Sequence, residues 1–469
     1  MGHAAANRPR KRRRRNRAGA AVAAGEGPDR FSSLNDDLLR NITNLLPTRT
    51  AAKLAAVSRH FRAQVPGLLD RVDSLTLHEP HFPVPLRDAP PLLLRRLAIT
   101  PHRAIPPASF HPMLATAAEH GVSELNVRLT RRARLPKNLL SLRSLVVLTL
   151  ETCAVPSWST VALPCLRTLR LQRVAVHQAI LNGVFASATC LETLHMMYCT
   201  GLGTGKGGGC TVESSSVRNF VFRPPLKQEE AAIRASGLRT VTLYTRSKTR
   251  RLELAAAPDV KKAYLHIAKP QKTMESFRVR PFLDAGTRLE CLTLRCQAMK
   301  MLSTEYEDSP ILTVMFQNLR ILSVSLDLSS EGELVFLQKL LESCPNLKQF
   351  SLSAAETDRD NAAETDKGNA AETDTGNALP CFFAHKERLA NISCLTNSLV
   401  RFKFLGFKPR QYQKKLIVFL LTRAKNLKKV GVGFEKSQEA AVKKILSVKR
   451  APIERTSRKY TNYYMELEY

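Results

Sequence analysis

The chain has 469 residues, of which 44% are hydrophobic, and it carries 72 Lys and Arg against 40 Asp and Glu, a formal net charge of +32. This length and apolar content allow several domains or one elongated repeat array, and they exclude a chain that is disordered throughout. No apolar run approaches the ~20 residues of a membrane-spanning helix, so we expect no membrane partner.

The chain begins with a basic tail, residues 1–28. Six consecutive cations lie in it, at Arg10, Lys11, Arg12, Arg13, Arg14 and Arg15. Because like charges repel one another, the tail is predicted to be disordered, and the run favours nuclear import. We therefore expect the protein in the nucleus, with the cytoplasm as a second location. A solvated tail without an address and an organelle transit peptide remain as alternatives.

Residues 29–68 have the pattern of a small helical module. The polar stretch 35–37 offers an N-cap and first-turn carboxylates, and apolar residues then recur at helical spacing at Leu38, Leu39, Ile42, Leu45 and Leu46. Pro47 ends this helix, while Thr48 and Ser58 are suited to cap a second and a third. A module this short cannot bury all of its apolar side chains. The pattern therefore predicts that another protein covers some of them.

An apolar triplet of the form L-x-x-L-x-L recurs behind this module. Its members are Val72/Leu75/Leu77, Leu94/Leu97/Ile99, Val122/Leu125/Val127, Leu145/Leu148/Leu150, Leu166/Leu169/Leu171, Leu191/Leu194/Met196, Val217/Phe220/Phe222, Leu238/Val241/Leu243, Val260/Ala263/Leu265, Leu289/Leu292/Leu294, Leu319/Leu322/Val324, Leu347/Phe350/Leu352, Leu399/Phe402/Phe404 and Leu427/Val430/Val432. Most steps between triplets match the period of leucine-rich repeats, about 20–29 residues. The last two positions are spaced as in a strand, and each return limb is expected to hold a helix or an irregular turn.

The predicted fold class is therefore α/β, a short three-helix module followed by a curved leucine-rich-repeat solenoid. Repeats are expected over residues 70–352, with terminal repeats inside 379–469. Cys153 and Cys199 each follow the last apolar residue of a triplet by three positions, where the repeat has its Asn/Cys slot. In such a solenoid the residues that flank the central apolar positions form an extended binding surface.

Several of these outward positions are basic. The predicted target-binding set is Arg167, Arg170, Arg218, Arg239, Lys348, Arg401 and Lys403. One such residue alone is more often part of a solvated face, but the set together favours an acidic partner protein. Nucleic acid is a less favoured partner, because aromatic residues make up only 6% of the chain and form no stacking platform.

An acidic insertion interrupts the repeats at residues 353–378. It contains three direct copies of Ala-Ala-Glu-Thr-Asp-x-x-Asn and lacks large apolar residues. Such a segment cannot bury a core, so it is predicted to be a disordered loop. It could neutralise the basic face of the same chain, or be a tolerated expansion without a role.

The helical module resembles an F-box of the large plant family that carries leucine-rich repeats behind it. The matching residues are Asp29, Arg30, Ser32, Leu34, Asp36, Leu38, Ile42, Leu45 or Leu46, Pro47, Thr48, Ala51 or Ala52, Ser58 and Arg62. Asn35 stands where that family has a proline, and His60-Phe61 replaces its Arg-Trp. Both departures lie in the region that contacts the adaptor in the family, and they favour a weakened contact.

The last seventy residues or so, a strand, an amphipathic helix and a strand, resemble the FBD domain that ends many plant F-box proteins. Together the resemblances imply a non-catalytic substrate-recognition subunit of an SCF-type cullin ubiquitin ligase. The module would dock on the Skp-type adaptor, and the repeats would hold the protein to be ubiquitinated. The residues expected to contact the adaptor are Leu34, Leu38, Ile42, Pro47, Leu54, Val57 and Phe61. The alternative is a nuclear basic repeat scaffold, or a nucleic-acid-associated protein, with a decayed F-box.

The sequence shows no compact catalytic or metal-binding motif. The ten cysteines include no Cys-x-x-Cys pair, so they are expected to be reduced, buried thiols, and no metal or cofactor is predicted. Residues 203–208 formally match G-x-G-x-x-G, but the following stretch is a poor helix start and the βαβ frame is missing. A bridge between two repeats is the favoured interpretation, and no active site is expected.

Overall fold

The computed structural model consists of two compact units, Met1–Leu69 and Asp70–Tyr469. It describes residues 34–45, 74–77, 94–104, 106, 111–112, 114–115, 117, 120–203, 209–225, 228–268, 276–308, 312, 314–328, 330–354, 392–447, 453–459 and 462–468. The basic tail 1–28, most of the insertion 353–378, most of the Gly-rich stretch 203–208 and the second and third helices predicted within 29–68 lie outside these ranges.

The first unit contains helix α1, Asp36–Leu45. Its start is capped by Asn35, whose Oδ1 accepts a hydrogen bond from the backbone N–H of Leu38 at 2.8 Å. The carbonyl oxygen of Asn35 also accepts the backbone N–H of Leu39 at 3.1 Å. A side-chain oxygen at this position satisfies one of the N–H groups that a helix leaves without an internal partner. The N-cap predicted from the polar stretch 35–37 is thereby confirmed.

The second unit is built on a sheet of sixteen strands, fourteen of them parallel. In the order of the sheet these fourteen are β1 Ser74–Leu77, β2 Arg96–Ile99, β3 Glu124–Arg134, β4 Val147–Ala154, β5 Thr168–Gln172, β6 Thr193–Met197, β8 Asn219–Arg223, β10 Thr240–Tyr244, β12 Lys262–Ile267, β14 Cys291–Cys296, β15 Ile321–Leu326, β16 Gln349–Ala354, β17 Arg401–Phe407 and β18 Lys429–Phe434. Each of them contains the last two residues of one predicted triplet, so the predicted repeat strands are confirmed.

The middle residues of the triplets form one continuous row across the sheet. Leu75 pairs with Leu97, Leu97 with Leu125, and the row continues from strand to strand as far as Phe402 and Val430. Leu97 and the row members that follow it are buried. Because side chains alternate along a strand, the residues between these positions face outward. The inner rows contribute to a single hydrophobic core that extends from residue 94 to residue 446.

Four return limbs contain strands, which form a second parallel sheet in the order β13-β11-β9-β7. They are β7 Cys210–Glu213, β9 Glu230–Arg234, β11 Arg251–Leu254 and β13 Ser276–Arg278. The expectation of a helix or irregular turn is wrong for the limbs of β7, β9 and β11, whereas the limb of β13 also contains a helix, Arg280–Asp284. Limbs 224–239 and 245–261 are among the shorter ones. A strand advances ~3.3 Å per residue against 1.5 Å for a helix, so a short limb must be extended to follow the same path.

Longer limbs contain helices, as expected. Among the described residues of the second unit, the α-helices with defined bounds are α2 Gln178–Ser187, α3 Arg280–Asp284, α4 Ala298–Glu305, α5 Glu331–Glu342, α6 Gln411–Arg423 and α7 Glu439–Leu446. The backbone N–H of Glu333 donates to the Ser330 hydroxyl at 3.5 Å at the start of α5, and Leu337, Leu340 and Leu341 bury its inner face. A capping Ser followed by apolar residues at helical spacing explains why this limb is helical.

Five repeats share a left-handed residue two positions after the last apolar residue of the triplet. These residues are Thr152, Arg173, Tyr198, Cys296 and Gly406, with φ between 54° and 72°. A positive φ is costly for residues other than glycine, so its recurrence at one repeat position marks a built-in change of chain direction. After two of these residues the chain turns Cys153 and Cys199 into the core, where both are buried. The Asn/Cys slot predicted for the two cysteines is confirmed as a buried position.

The C-terminal region has the predicted strand–helix–strand order, β17, α6 and β18. An antiparallel hairpin follows, β19 Ile453–Lys459 and β20 Asn462–Glu468, and β20 pairs antiparallel with β18. The hairpin was not predicted from the sequence. It occupies the edge that β18 would otherwise leave open, and an open edge is a template for unwanted strand pairing.

Candidate functional site

Helix α1 carries an apolar residue that is exposed to solvent. The side chain of Leu38 is 49% exposed, whereas its neighbour Leu39 is 0% exposed. Ile42, one turn further along the helix, is half-buried, as is Leu34, which precedes the N-cap. The predicted adaptor contacts Pro47, Leu54, Val57 and Phe61 lie outside the described residues.

A second candidate surface begins at the N-terminal edge of the large sheet. Each of thirteen neighbouring strands, from β2 to β18, is preceded by a residue whose backbone forms hydrogen bonds with the neighbouring chain segment. These thirteen residues therefore lie in a single row. The carbonyl of Arg167, for example, accepts the N–H groups of Glu192 and Thr193, both at 2.9 Å. We call these residues the N-edge row: Arg95, Ser123, Val146, Arg167, Glu192, Arg218, Arg239, Lys261, Glu290, Arg320, Lys348, Val400 and Lys428.

The N-edge row is strongly basic, since eight of its thirteen residues are cations and two are carboxylates. Both carboxylates are used within the row: Arg167 pairs with Glu192 at 3.4 Å, and Lys261 with Glu290 at 3.1 Å. Within the described part of the chain, no ion pair is formed by Arg218, Arg239, Arg320 or Lys348. The row therefore offers unneutralised positive charge along several neighbouring strands.

These unneutralised cations form two pairs of direct neighbours. Strands of one sheet lie ~4.8 Å apart, so Arg218 and Arg239 hold two like charges side by side, as do Arg320 and Lys348. Like charges directly opposite on neighbouring strands destabilise a sheet. An acidic partner would remove this repulsion, and the effect would weaken as salt increases.

The predicted target-binding residues occupy three positions in the repeat. Arg167, Arg218, Arg239 and Lys348 belong to the N-edge row, and Arg401 is the first residue of its strand. The other two, Arg170 and Lys403, face outward in the middle of β5 and β17. The sheet brings Arg218 and Arg239 together, but it separates Arg170 from Lys403 by many strands.

Arg170 has a titratable neighbour on the outward face. It pairs in register with His195 of β6. Partial burial lowers the pKa of His195, and the nearby charge of Arg170 lowers it further. His195 is therefore held in its neutral form over a wider pH range than a free histidine.

Sequence reasoning missed Arg95, Lys261 and Arg320 of the N-edge row. The signal was present in the sequence, because each of them directly follows the first apolar residue of a triplet. Lys261 and Arg320 extend the basic row between the predicted members Arg239 and Lys348.

The thiols of the described residues are mostly buried and unreactive. Burial raises the pKa of Cys153, Cys199 and Cys210 to about 12. The expectation that the cysteines are buried is wrong for Cys165, Cys190 and Cys296, which are exposed. Among the described residues, no three His, Cys, Asp or Glu side chains are grouped so that they could hold a metal ion. In the same residues we find no helix with the length and apolarity that a membrane crossing requires.

Comparison with known proteins places the chain in a family. Residues 94–375 match the model described as At1g61320/AtMIF1, LRR domain, and residues 390–432 match the FBD model. The first match covers more than half of the chain, so the chain belongs to this family of leucine-rich-repeat proteins, and it is a plant F-box/LRR protein with an FBD domain. The FBD match ends within β18, so it covers less of the C-terminal region than the predicted seventy residues.

Two proteins of Arabidopsis thaliana are similar over most of their length. At3g44060, provisionally named an F-box protein, is 26% identical over 358 residues, which cover 68% of this chain and 78% of the relative. The F-box/FBD/LRR-repeat protein At1g80470 is 24% identical over 350 residues, which cover 69% of this chain and 73% of the relative. The names of both relatives agree with the resemblance drawn from the sequence.

Proposed function

We propose that this protein is the substrate-recognition subunit of an SCF-type cullin ubiquitin ligase. The first unit docks on the Skp-type adaptor, and through it on a cullin. The outward face of the repeat sheet holds an acidic target protein. The chain itself catalyses no reaction and binds no cofactor. It acts by raising the local concentration of the target lysines near the ubiquitin-loaded enzyme that the complex supplies.

The exposed side chain of Leu38 is the observation that carries this proposal. A leucine that is 49% exposed on a capped helix, with the half-buried Ile42 one turn further on, suits a helix whose apolar side is covered by a partner. The names of the two relatives, both F-box proteins, support the same role.

The N-edge row supports the chemical class of the target. Its free cations Arg218, Arg239, Arg320 and Lys348 lie at the ends of parallel strands, where an extended acidic segment could cross them. Arg401, Lys403 and Arg170 would add contacts further along the same face. Electrostatic complementarity of this kind mainly accelerates association and rejects basic proteins.

Adaptor docking is tested with the full chain and a purified Skp-type adaptor. The substitution Leu38→Asp is expected to abolish co-purification, because a charge would have to be buried in an apolar contact. Met315→Asp is the matched control, since Met315 is 48% exposed but belongs to the second unit. Absence of the adaptor from the wild-type complex, or equal loss in both variants, contradicts the proposal.

A nuclear scaffold that contacts nucleic acid is the second candidate, because the N-edge row would also attract phosphates. Binding of a labelled RNA that is tighter than binding of an acidic peptide, and that falls steeply between 50 and 200 mM salt, would favour it. We also propose a nuclear location, which depends on residues 10–15 of the tail. A fluorescent fusion in which these six cations are replaced by Gln should leave the nucleus.

A further inference from the structure

A compact group of arginines and aromatic rings lies at the opposite end of the strands from the N-edge row. We call it the Arg–Tyr cluster, and its members are Tyr198, Arg223, Tyr244, Arg246, His266 and Arg295. Tyr244, His266 and Arg295 are in register on β10, β12 and β14, and Arg223 ends β8. Residues from five repeats therefore meet on one part of the outward face.

The arginines are held in place by stacking on the tyrosines. The Cζ atom of Arg223 lies 5.1 Å from the ring centroid of Tyr198 and 5.0 Å from that of Tyr244. The Cζ atom of Arg246 lies 5.3 Å from the Tyr198 centroid, and its Nε donates to the carbonyl oxygen of Pro224 at 3.2 Å. Stacked guanidinium groups lose little freedom when they bind a ligand, so the cluster is pre-organised.

The positive charge of the cluster is not neutralised. Among the described residues, no carboxylate forms an ion pair with Arg223, Arg246 or Arg295. On the second sheet, by contrast, Arg234 is placed between Glu213 at 2.7 Å and Glu253 at 3.1 Å. The three arginines of the cluster are half-buried residues, whereas the free cations of the N-edge row are exposed. Half-buried cations are screened less by salt and attract an anion more strongly.

Arg295 is the register neighbour of His266, and the charges of all three arginines act on this histidine. After burial, the charges of Arg223, Arg295 and Arg246 are the causes that lower the pKa of this histidine. The ring of His266 lies 5.4 Å from the ring of Tyr244, and its Nε2 is 3.4 Å from the Sγ of Cys296. A neutral imidazole beside three cations can offer a hydrogen bond without adding a charge.

We propose that the Arg–Tyr cluster binds the phosphate group of a phosphorylated side chain in the target protein. Two guanidinium groups stacked on one tyrosine, with a third arginine on a nearby strand, match the charge of a phosphate better than that of a single carboxylate. Each of the two tyrosine rings already has two neighbours among the arginines and His266, which favours an anion over a stacked nucleic-acid base. The inference deepens the proposed function, because it rests on the target-binding role of the outward face.

The spacing within the sheet predicts the sequence around the phosphate. Arg218 and Arg223 lie at the two ends of β8, five residues or ~16 Å apart. An extended target segment that places its phosphate at the cluster would therefore bring residues about five positions away over the N-edge row. Acidic residues are expected there.

The test uses the full chain and degenerate peptide pools with phosphoserine, phosphothreonine or phosphotyrosine at a fixed position. Matched pools carry Ser, Thr, Tyr or Glu at that position. Wild type should retain a phosphorylated pool at least tenfold better than its matched pools at 150 mM NaCl. Arg223→Gln/Arg246→Gln should remove this preference. The control Arg218→Gln/Arg239→Gln changes the same strands at their other ends and should weaken all acidic pools while it keeps the preference for phosphate.

Two further arms keep the result interpretable. Arg223→Lys keeps the charge but loses the planar fork, so it tests the cluster if the double variant fails to fold, and it should lower the preference several-fold. Equal retention of phosphorylated and matched pools overturns the inference, as does displacement by an RNA dodecamer at lower concentration than the phosphopeptides. Adaptor co-purification is measured on the same samples. If the wild-type protein does not co-purify with the adaptor, the proposed function is contradicted. If the adaptor is bound but phosphorylated pools are not preferred, only the role of the Arg–Tyr cluster is contradicted.

Discussion

The carbonyl oxygen of Arg218 accepts the backbone N–H of Arg239 at 2.7 Å, so the two arginines stand side by side on neighbouring strands. Neither forms an ion pair within the described residues. If the N-edge row contributed only to stability, positive and negative side chains would be expected to alternate along it. This pair of like charges therefore has a cost in stability that an acidic partner would offset.

The first prediction concerns this cost. Arg239→Glu would place a carboxylate between Arg218 and Lys261, and we expect the free energy of unfolding to rise by a few tenths of a kcal/mol at low salt, roughly the value of a cross-strand charge pair. Binding of acidic peptide pools should fall in the same variant. The measurement is urea unfolding at 50 mM and at 1 M NaCl. The increase in the free energy of unfolding should disappear at the higher salt concentration.

Arg234→Glu is the matched control, because Arg234 already has carboxylates on both sides. The same substitution should destabilise the protein there, most at low salt. A loss of stability in both variants would show that the N-edge row is not under electrostatic repulsion.

The second prediction concerns a close approach of two return-limb segments. A Cβ atom at Gly237 would collide with the carbonyl oxygen of Ser215, and a backbone atom cannot move aside cheaply. Gly237→Ala should lower the free energy of unfolding by ~1–3 kcal/mol, the usual cost of overpacking. Thermal unfolding measured by circular dichroism checks it.

Gly332→Ala is the control for that substitution. Gly332 lies in α5, and a Cβ there would meet Ser303 only at 3.7 Å, an ordinary contact. Alanine is favoured over glycine in a helix by roughly 0.5–1 kcal/mol, so this variant should gain stability. Equal effects of the two alanines would contradict the close contact at Gly237.

The third prediction concerns the core beneath the FBD match. The rings of Phe350 and Phe402 lie 5.8 Å apart on adjacent strands, and Phe402 is completely buried. Phe402→Ala should cost ~3–5 kcal/mol, as for other large-to-small changes in a core. Leu405→Ala, at an outward and half-buried position of the same strand, should cost much less. Similar losses in urea unfolding would show that the row of middle triplet residues is not the main support of the sheet.

The strands of the large sheet and the N-edge row could be predicted from the sequence, because each depends on a pattern of residues within a single repeat. The triplets fixed the inner rows because burial depends on alternation within one strand, and the position after the first apolar residue identifies the N-edge row. The strands β9 and β11 were missed because a short limb becomes extended only when its neighbours set the path, and β7 and β13 were missed because they form by pairing with these two strands. The Arg–Tyr cluster joins residues from Tyr198 to Arg295 through five repeats, and no local pattern links them.

The last prediction concerns pH. Glu333 is buried on α5 and its Oε2 accepts the backbone N–H of Asp327 at 2.9 Å. Burial raises the pKa of Glu333 to about 7; the hydrogen bond from the Asp327 backbone opposes this rise, as does the charge of Lys300, while the charge of Asp327 adds to it. Between pH 4.5 and 7 the folded chain therefore binds more protons at this site than the unfolded chain does, so stability is present at low pH and is lost as pH rises through 7.

Glu333→Gln removes the titrating carboxyl group and keeps an oxygen that can accept a hydrogen bond from the N–H of Asp327. Relative to the variant, wild type should lose up to ~3 kcal/mol of unfolding free energy between pH 5 and 8, since one pKa unit corresponds to about 1.4 kcal/mol. Urea unfolding at several pH values measures the difference. Glu331→Gln, at an exposed position on the same helix, should leave the pH dependence of wild type unchanged. Parallel curves for wild type and Glu333→Gln would mean that water reaches the carboxylate and that Glu333 ionises as an ordinary surface group.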